Sequence, residues 1–292
     1  MKKILAIAVA TLPLTGFAGE MALDLQFDED GKATPVSTYG HDWTDSLYSQ
    51  VKYRSLAITE MDTSTVLSNS ATTLNEQFVQ LSLIGYKQEI GELNWSVGGG
   101  VELIRIENRE FGFGPVGADT LVIENNVEIT STRALLTAQI GYNTENFSVK
   151  SGIDIKPAGN LSVKQDTSIE YTTSFSGGED DSHSTDLAYG LLLDGIGFTG
   201  LGFDIGFGAE YSLLPLKYDL AQSNSSVDGF DTVTIEQDET TTRYSLRIIL
   251  GKETDMGRPM FGVTNETLSV ESGGQTSEET INYLVLGFDK RF

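Results

Sequence analysis

The chain has 292 residues, a formal net charge of −23 and 39% hydrophobic residues. Such acidity argues against nucleic acid as a partner, because phosphate contacts need clustered Lys and Arg. Cysteine is absent, which removes disulfides and thiolate metal sites, and no apolar run approaches the roughly 18 residues of a membrane-spanning helix.

Residues 1–18 have the organisation of a secretory signal. Lys2 and Lys3 are the positive end, Ile4 to Leu14 the short apolar core, and Gly16-Phe17-Ala18 a small-x-small cleavage site. Pro13 interrupts the core, which is too short to span a bilayer. No Cys follows, so a lipid-anchored form is not expected. Loss of Lys2 and Lys3 takes the charge of residues 19–292 from −23 to −25.

The remainder alternates with a period of two, as half-buried strands do. Met21, Leu23, Leu25 and Phe27 share one face; Ala22, Asp24 and Gln26 share the other. The same zigzag carries Leu93 to Leu103, Ala134 to Tyr142, Leu201 to Tyr211 and Tyr244 to Leu250. Short polar turns near 42–45, 87–92, 143–146, 194–200 and 252–258 alternate with longer polar segments near 58–75, 105–126, 158–183 and 215–240. Smaller polar links near 28–33 and 271–279 join the longer set. Strands are expected to start near 21, 34, 46, 76, 93, 127, 147, 185, 201, 241, 259 and 280. Without the first two, ten strands remain as an alternative. Leu121–Thr132 and Leu161–Phe175 keep enough alternation to extend strands as hairpins; Gly177–Asp181 and Ser223–Ser226 have the composition of mobile loop.

The last ten residues, Tyr283 to Phe292, place Leu284, Leu286, Phe288 and Phe292 on one face of a final strand. A closing strand that ends on a carboxy-terminal Phe resembles those of bacterial outer-membrane β-barrels, whose assembly machinery reads that end. The resemblance implies an all-β, antiparallel transmembrane barrel of residues 19–292 in the outer membrane. Its turns would be short on the periplasmic side and its loops long outside. Trp95, Tyr142, Phe147, Tyr189, Phe288 and Phe292 fit interfacial girdles. Lipid, lipopolysaccharide and the barrel-assembly machinery follow as partners. A soluble β-sandwich would show the same alternation, but lipid demands that every backbone polar group be paired, which favours closure.

With the apolar parity facing lipid, eight basic residues point inward: Lys52, Arg54, Arg133, Lys150, Lys156, Arg243, Arg247 and Arg291. Glu76, Glu102, Asp154, Asp204, Glu210, Glu266 and Asp289 share that face. Inward Gly98, Gly100, Gly190, Gly202, Gly206 and Gly208 leave space. The expected role is a narrow channel for passive diffusion of small hydrophilic solutes or ions, and acidic loops would favour cations at its mouth. The alternative is a lumen filled by salt bridges, with the acidic loops as an adhesion or receptor surface, holding divalent cations that bridge lipopolysaccharide.

No catalysis, resident metal or cofactor is expected. His41 falls at a turn. Asp181-Ser182-His183 resembles the Asp-x-His element of the omptin proteases, but no convincing Asp-x-Asp partner is found, and the element sits in a Gly/Ser-rich segment. Asp28-Glu-Asp30-Gly31 and Glu179-Asp-Asp181 supply oxygen ligands without the full calcium-loop spacing.

Overall fold

A computed structural model of the protein describes residues 19–62, 69–116, 119–157, 159–169, 173–184, 186–198, 202–226, 229–272 and 274–291. Both the signal-like segment and Phe292 lie outside the described residues. The strands are β1 (Gly19–Phe27), β2 (Ala33–Asp42), β3 (Leu47–Asp62), β4 (Asn69–Ile90), β5 (Leu93–Val116), β6 (Asp119–Asn143) and β7 (Phe147–Lys156). They continue with β8 (Asn160–Ile169), β9 (Thr173–Ser184), β10 (Ala188–Phe198), β11 (Asp204–Ser226), β12 (Gly229–Gly251), β13 (Arg258–Ser272) and β14 (Gln275–Arg291). Twelve of them close a ring: each of β1 to β7 pairs with the next, β7 pairs with β10, β10 to β14 follow in order, and β14 pairs with β1. Every pairing is antiparallel. The ring matches the twelve-strand expectation, and β1 and β2, without which ten strands would remain, are both present.

Alternation sorts the side chains as the strand period requires. Leu23, Leu25, Leu136, Ile140, Leu191, Leu193, Leu246, Ile248, Leu284 and Leu286 are exposed on the outside, whereas Asp24, Gln26, Glu102, Arg133 and Glu266 are buried inside. Exposed aliphatic side chains in such number are tolerated only where acyl chains replace water. Outward aromatic groups bound the band. Tyr189, Tyr211 and Tyr244 form a row at one margin, with ring centroids 5.8 and 5.1 Å apart. Tyr86 and Trp95 meet at 5.4 Å at the other, where Tyr142 also hydrogen-bonds Glu92.

The long polar segments are mostly not loops. β4, β6 and β12 begin at 69, 119 and 229, well before the expected starts, and the 158–183 segment contains the hairpin β8–β9. Gly177–Asp181 and Ser223–Ser226 lie on β9 and β11. The reason is that backbone pairing continues past the lipid band, because leaving N–H and C=O groups unpaired is unfavourable whatever the side chains are. Three expected turns are also shorter than their polar runs: β4 continues to Ile90, β10 to Phe198, and β13 starts at Arg258.

β8 continues the line of β7 along β6, beyond a break at Pro157–Gly159. Only glycine fits at 159, where a Cβ would lie 2.3 Å from the Thr132 carbonyl oxygen. Above this break the wall divides, since no pairing joins β9 to β11 among the described residues. The β5–β6–β8 sheet instead faces β11, and Val127, Ile129, Leu161, Val163 and Leu216 form a buried core against which Ile106 and Leu214 pack. The barrel thus becomes a small sandwich on one side of its outer mouth. Leu216, 2% exposed, is the largest contribution of β11 to that core. Its replacement by Ala is expected to destabilise the folded barrel by about 2–5 kcal/mol, read as a lower urea midpoint in detergent micelles.

Candidate channel lumen

The register places all thirteen charged residues expected at the lumen on the inner face: Lys52 and Arg54 on β3, Glu102 on β5, Arg133 on β6, Lys150, Asp154 and Lys156 on β7, Asp204 and Glu210 on β11, Arg243 and Arg247 on β12, Asp289 and Arg291 on β14. The side chains of Arg291 and Glu76 lie outside the described residues. Gly202 is not on that face; with φ +78 it belongs to the turn before β11. A left-handed backbone of this kind suits glycine and few other residues.

Many of these charges meet in pairs drawn from different strands. Glu266 of β13 accepts from Arg54 of β3 at 2.5 and 2.7 Å, and Arg243 of β12 approaches it at 3.0 Å. Lys156 reaches Glu102 at 2.6 Å. Arg247 lies 3.3 Å from Asp24 and 3.4 Å from Asp194. Near the inner turns, Arg258 holds Asp204 through two donor nitrogens, Nε and Nη2, with Nε 2.9 Å from one carboxylate oxygen.

Arg133 has a different task. Its Nη2 donates to the Pro215 carbonyl at 3.0 Å and its Nε to Ser131 at 3.1 Å. Pro215 lies just above the last β10–β11 pair, Tyr189 with Leu213, where the wall divides. A proline has no N–H to leave unpaired, and Arg133 satisfies its carbonyl, so the bare strand edge begins without a buried orphan. On the outside of the same division, Lys217 lies 3.5 Å from Asp186 and 3.4 Å from Asp238. Hydrogen bonding to Asp238, reinforced by both carboxylate charges, holds the Lys217 ammonium above the usual lysine range.

Sequence reasoning did not single out Asp24, Asp194, Arg258 and Tyr283. Asp24 already had inward parity. Asp194 and Arg258 were absorbed into polar turns, although each stands two or more residues inside a strand or at its first position. Tyr283, 2% exposed, faces inward beside Thr264; no polarity pattern marks a tyrosine as interior.

The inner face is not uniformly packed. Glu102 and Arg133 are 0% and 1% exposed, yet Glu210 is exposed. It stands between lipid-facing Ala209 and Tyr211, on the inner side of the same strand. Leu192 on β10 and Ser245 on β12 are its direct partners, and Gly190 and Ser212 are the next inward residues towards the outer mouth. A Cβ on Gly190 would have no neighbour nearer than 3.5 Å, so a side chain there would fit without a clash. The Arg247 side chain is 33% exposed and that of Asp194 28%. Water therefore reaches charged groups at the depth of the acyl chains, inside a ring that is closed to lipid.

A closed antiparallel ring, greasy outside and ionic inside, is suited to lipid. The protein is a membrane-spanning β-barrel. No family model matches the chain, and no curated protein matches it either. Among solved structures, the chain is similar to the translocator domain of the autotransporter NalP from Neisseria meningitidis, at 12% identity over 100% of this chain and 94% of that one, with a TM-score of 0.45. It is also similar to the Pseudomonas putida toluene transporter TodX, at 10% identity over 98% and 92% with a TM-score of 0.47. The KdgM porin matches at 10% identity over 94% and 99%, with a TM-score of 0.32.

The hydrolytic and calcium candidates gain nothing from the geometry. Asp181 and His183 lie on β9 with side chains outside the described residues, as are those of Glu179 and Asp180. Asp28 Oδ1 accepts from the Asp30 and Lys32 amides at 3.0 and 2.7 Å, so that carboxylate already organises its own turn. His41 sits at the end of β2 with its ring 4.4 Å from that of Trp43.

Removing one member of a buried ion pair strands the other. In the barrel, Asp204→Ala is expected to destabilise by about 3–5 kcal/mol, and adding Arg258→Met should restore most of the loss. Urea unfolding of the two variants checks this; equal midpoints for both would count against a buried pair.

Proposed function

We propose that the barrel is a narrow channel for passive diffusion of small hydrophilic solutes or ions, and that it performs no catalysis. The observation that carries the reading is the exposure of Glu210 on the inner wall, within the lipid band. A barrel filled to native density would leave no such carboxylate accessible. Twelve strands lie between the eight that side chains fill and the sixteen or so that leave a broad pore. Gly190 on β10 adds a little room, whereas the space before Gly206 and Gly208 on β11 is taken by Ile249 and by the Asp194–Arg247 pair.

Asp24, Glu102, Asp154, Asp194, Asp204, Glu210, Glu266 and Asp289 face Lys52, Arg54, Arg133, Lys150, Lys156, Arg243, Arg247 and Arg258 across the described interior. Near-balance of this kind supports weak charge selectivity inside, with acidic outer segments enriching cations at the entrance. Lipopolysaccharide held through divalent cations at those segments belongs to the same proposal.

Purified protein in a planar bilayer should show stepwise conductance, with a modest cation preference in a potassium chloride gradient. Glu210→Lys should move the reversal potential towards that of chloride. Silence of the wild-type barrel at every salt concentration would overturn the channel reading and favour a closed barrel with a binding surface.

A further inference from the structure

The lipid-facing surface is not the same all round. On β10, β11 and β12 its outer margin is the row of Tyr189, Tyr211 and Tyr244. On β13 and β14 the outward residues beside that row are polar. Tyr244 pairs with Thr267, and Thr267 with Thr280. One outward position deeper, Leu246 pairs with Asn265, and Asn265 with Asn282. The strand period puts both asparagines on the face of Leu246, Val263 and Leu284, and both are exposed. A groove of about 570 Å³ runs here, with Phe27, Ile248, Val263 and Leu284 on its apolar side.

At its polar end three side chains form a relay. Asn265 Nδ2 donates to Asn282 Oδ1 at 2.9 Å, and Asn282 Nδ2 donates to Glu29 Oε1 at 3.2 Å. The relay uses one N–H of each amide; a carboxamide has two, and a carbonyl oxygen besides, so both residues can also serve a ligand. The surrounding charge selects which. Asp28, Glu29 and Asp30 outnumber Lys32 in the adjoining turn. Further out on the same face stand Thr267, Ser269 and Glu271 on β13 and Glu278 and Thr280 on β14, none of them basic. An anionic head group is therefore disfavoured. Depth selects further. Asn265 is level with Leu246, which is 62% exposed, so the polar part of a ligand must begin where its acyl chain ends. In a glycerophospholipid the phosphate lies close to that junction, facing these carboxylates. A sugar joined to its chains there presents neutral hydroxyl donors instead.

We propose that this groove binds one sugar-headed lipid of the surrounding membrane, its chain along Ile248, Val263 and Leu284 and its first sugar on Asn265, Asn282 and Glu29. Lipid is the occupant because the groove is continuous with the acyl-facing band. The contact is made by hydroxyl groups directly, without a bridging cation. The site lies outside the lumen, so the inference rests on the membrane-spanning barrel and not on the channel reading.

Native mass spectrometry tests this on the purified barrel, mixed in detergent with equal amounts of glucosyl diacylglycerol, phosphatidylethanolamine and phosphatidylglycerol carrying the same chains. Heat-modifiable electrophoretic mobility certifies that each variant is folded. The wild type should retain one glycolipid, about tenfold or more in preference to either phospholipid. In the double variant Asn265→Leu, Asn282→Leu, which keeps the face suited to lipid, glycolipid retention should fall about tenfold. Equal retention of all three lipids by the wild type means general contact with the bilayer and overturns the proposal. So does a preference for either phospholipid, including one for phosphatidylglycerol that appears only with magnesium. A glycolipid preference that survives in the folded double variant overturns the assigned site. Should that variant fail to fold, Val263→Trp decides, because it fills the groove and leaves the relay in place: lost retention supports the site, and unchanged retention overturns it.

Discussion

Lipid cannot hydrogen-bond to a peptide group, and this constraint governs the rest of the barrel. Within the band every strand must be paired on both edges, so the sheet closes on itself. Closure fixes which face each residue occupies, because a slip of one position would exchange the inner and outer sets along a whole strand. Outside the band the constraint relaxes, and there the wall divides between β9 and β11. The division starts at Pro215, a residue with no amide hydrogen, and Arg133 serves its carbonyl. The fold tolerates an open edge only where water or a side chain can substitute for a neighbouring strand.

The same constraint explains the interior. A band of aliphatic residues must face outward, so polar residues collect inside, where they have only one another and trapped water as partners. Oppositely charged side chains from strands far apart in the chain meet there, as Arg54 and Glu266 do. Such pairs contribute little net stability when made and cost much when broken. They act as crossbars that hold walls in register more than as a source of folding energy. Where they are supplemented by apolar packing, around Leu161 and Leu216, the interior resembles that of a soluble domain.

The period-two signal made most of this architecture readable from the residues, since Leu23 beside Asp24 or Leu136 beside Thr137 already declares a face. Even Leu135, apolar but inward and buried, broke the pattern without obscuring it. Polar turns were less informative, because Asp194 and Arg258 are polar for the sake of the lumen and not of a turn. The extended outer strands escaped notice for a related reason: above the lipid both faces of a strand can be hydrophilic, and the alternation fades while the backbone pairing persists. Cross-lumen partners were beyond reach altogether. Nothing in the spacing of Arg54 and Glu266, 212 positions apart, indicates that they meet.

The seam between β1 and β14 has a kinetic implication. Its eight paired positions join residues 271 apart at Glu20 and Arg291 and 257 apart at Phe27 and Leu284. Every other junction in the ring links segments much nearer in the chain, so this one bears the greatest loop-closure entropy and belongs at the end of the folding sequence. Until it zips, both terminal strands present bare edges to the bilayer. A catalyst of insertion would act most usefully by shielding those two edges and bringing them together.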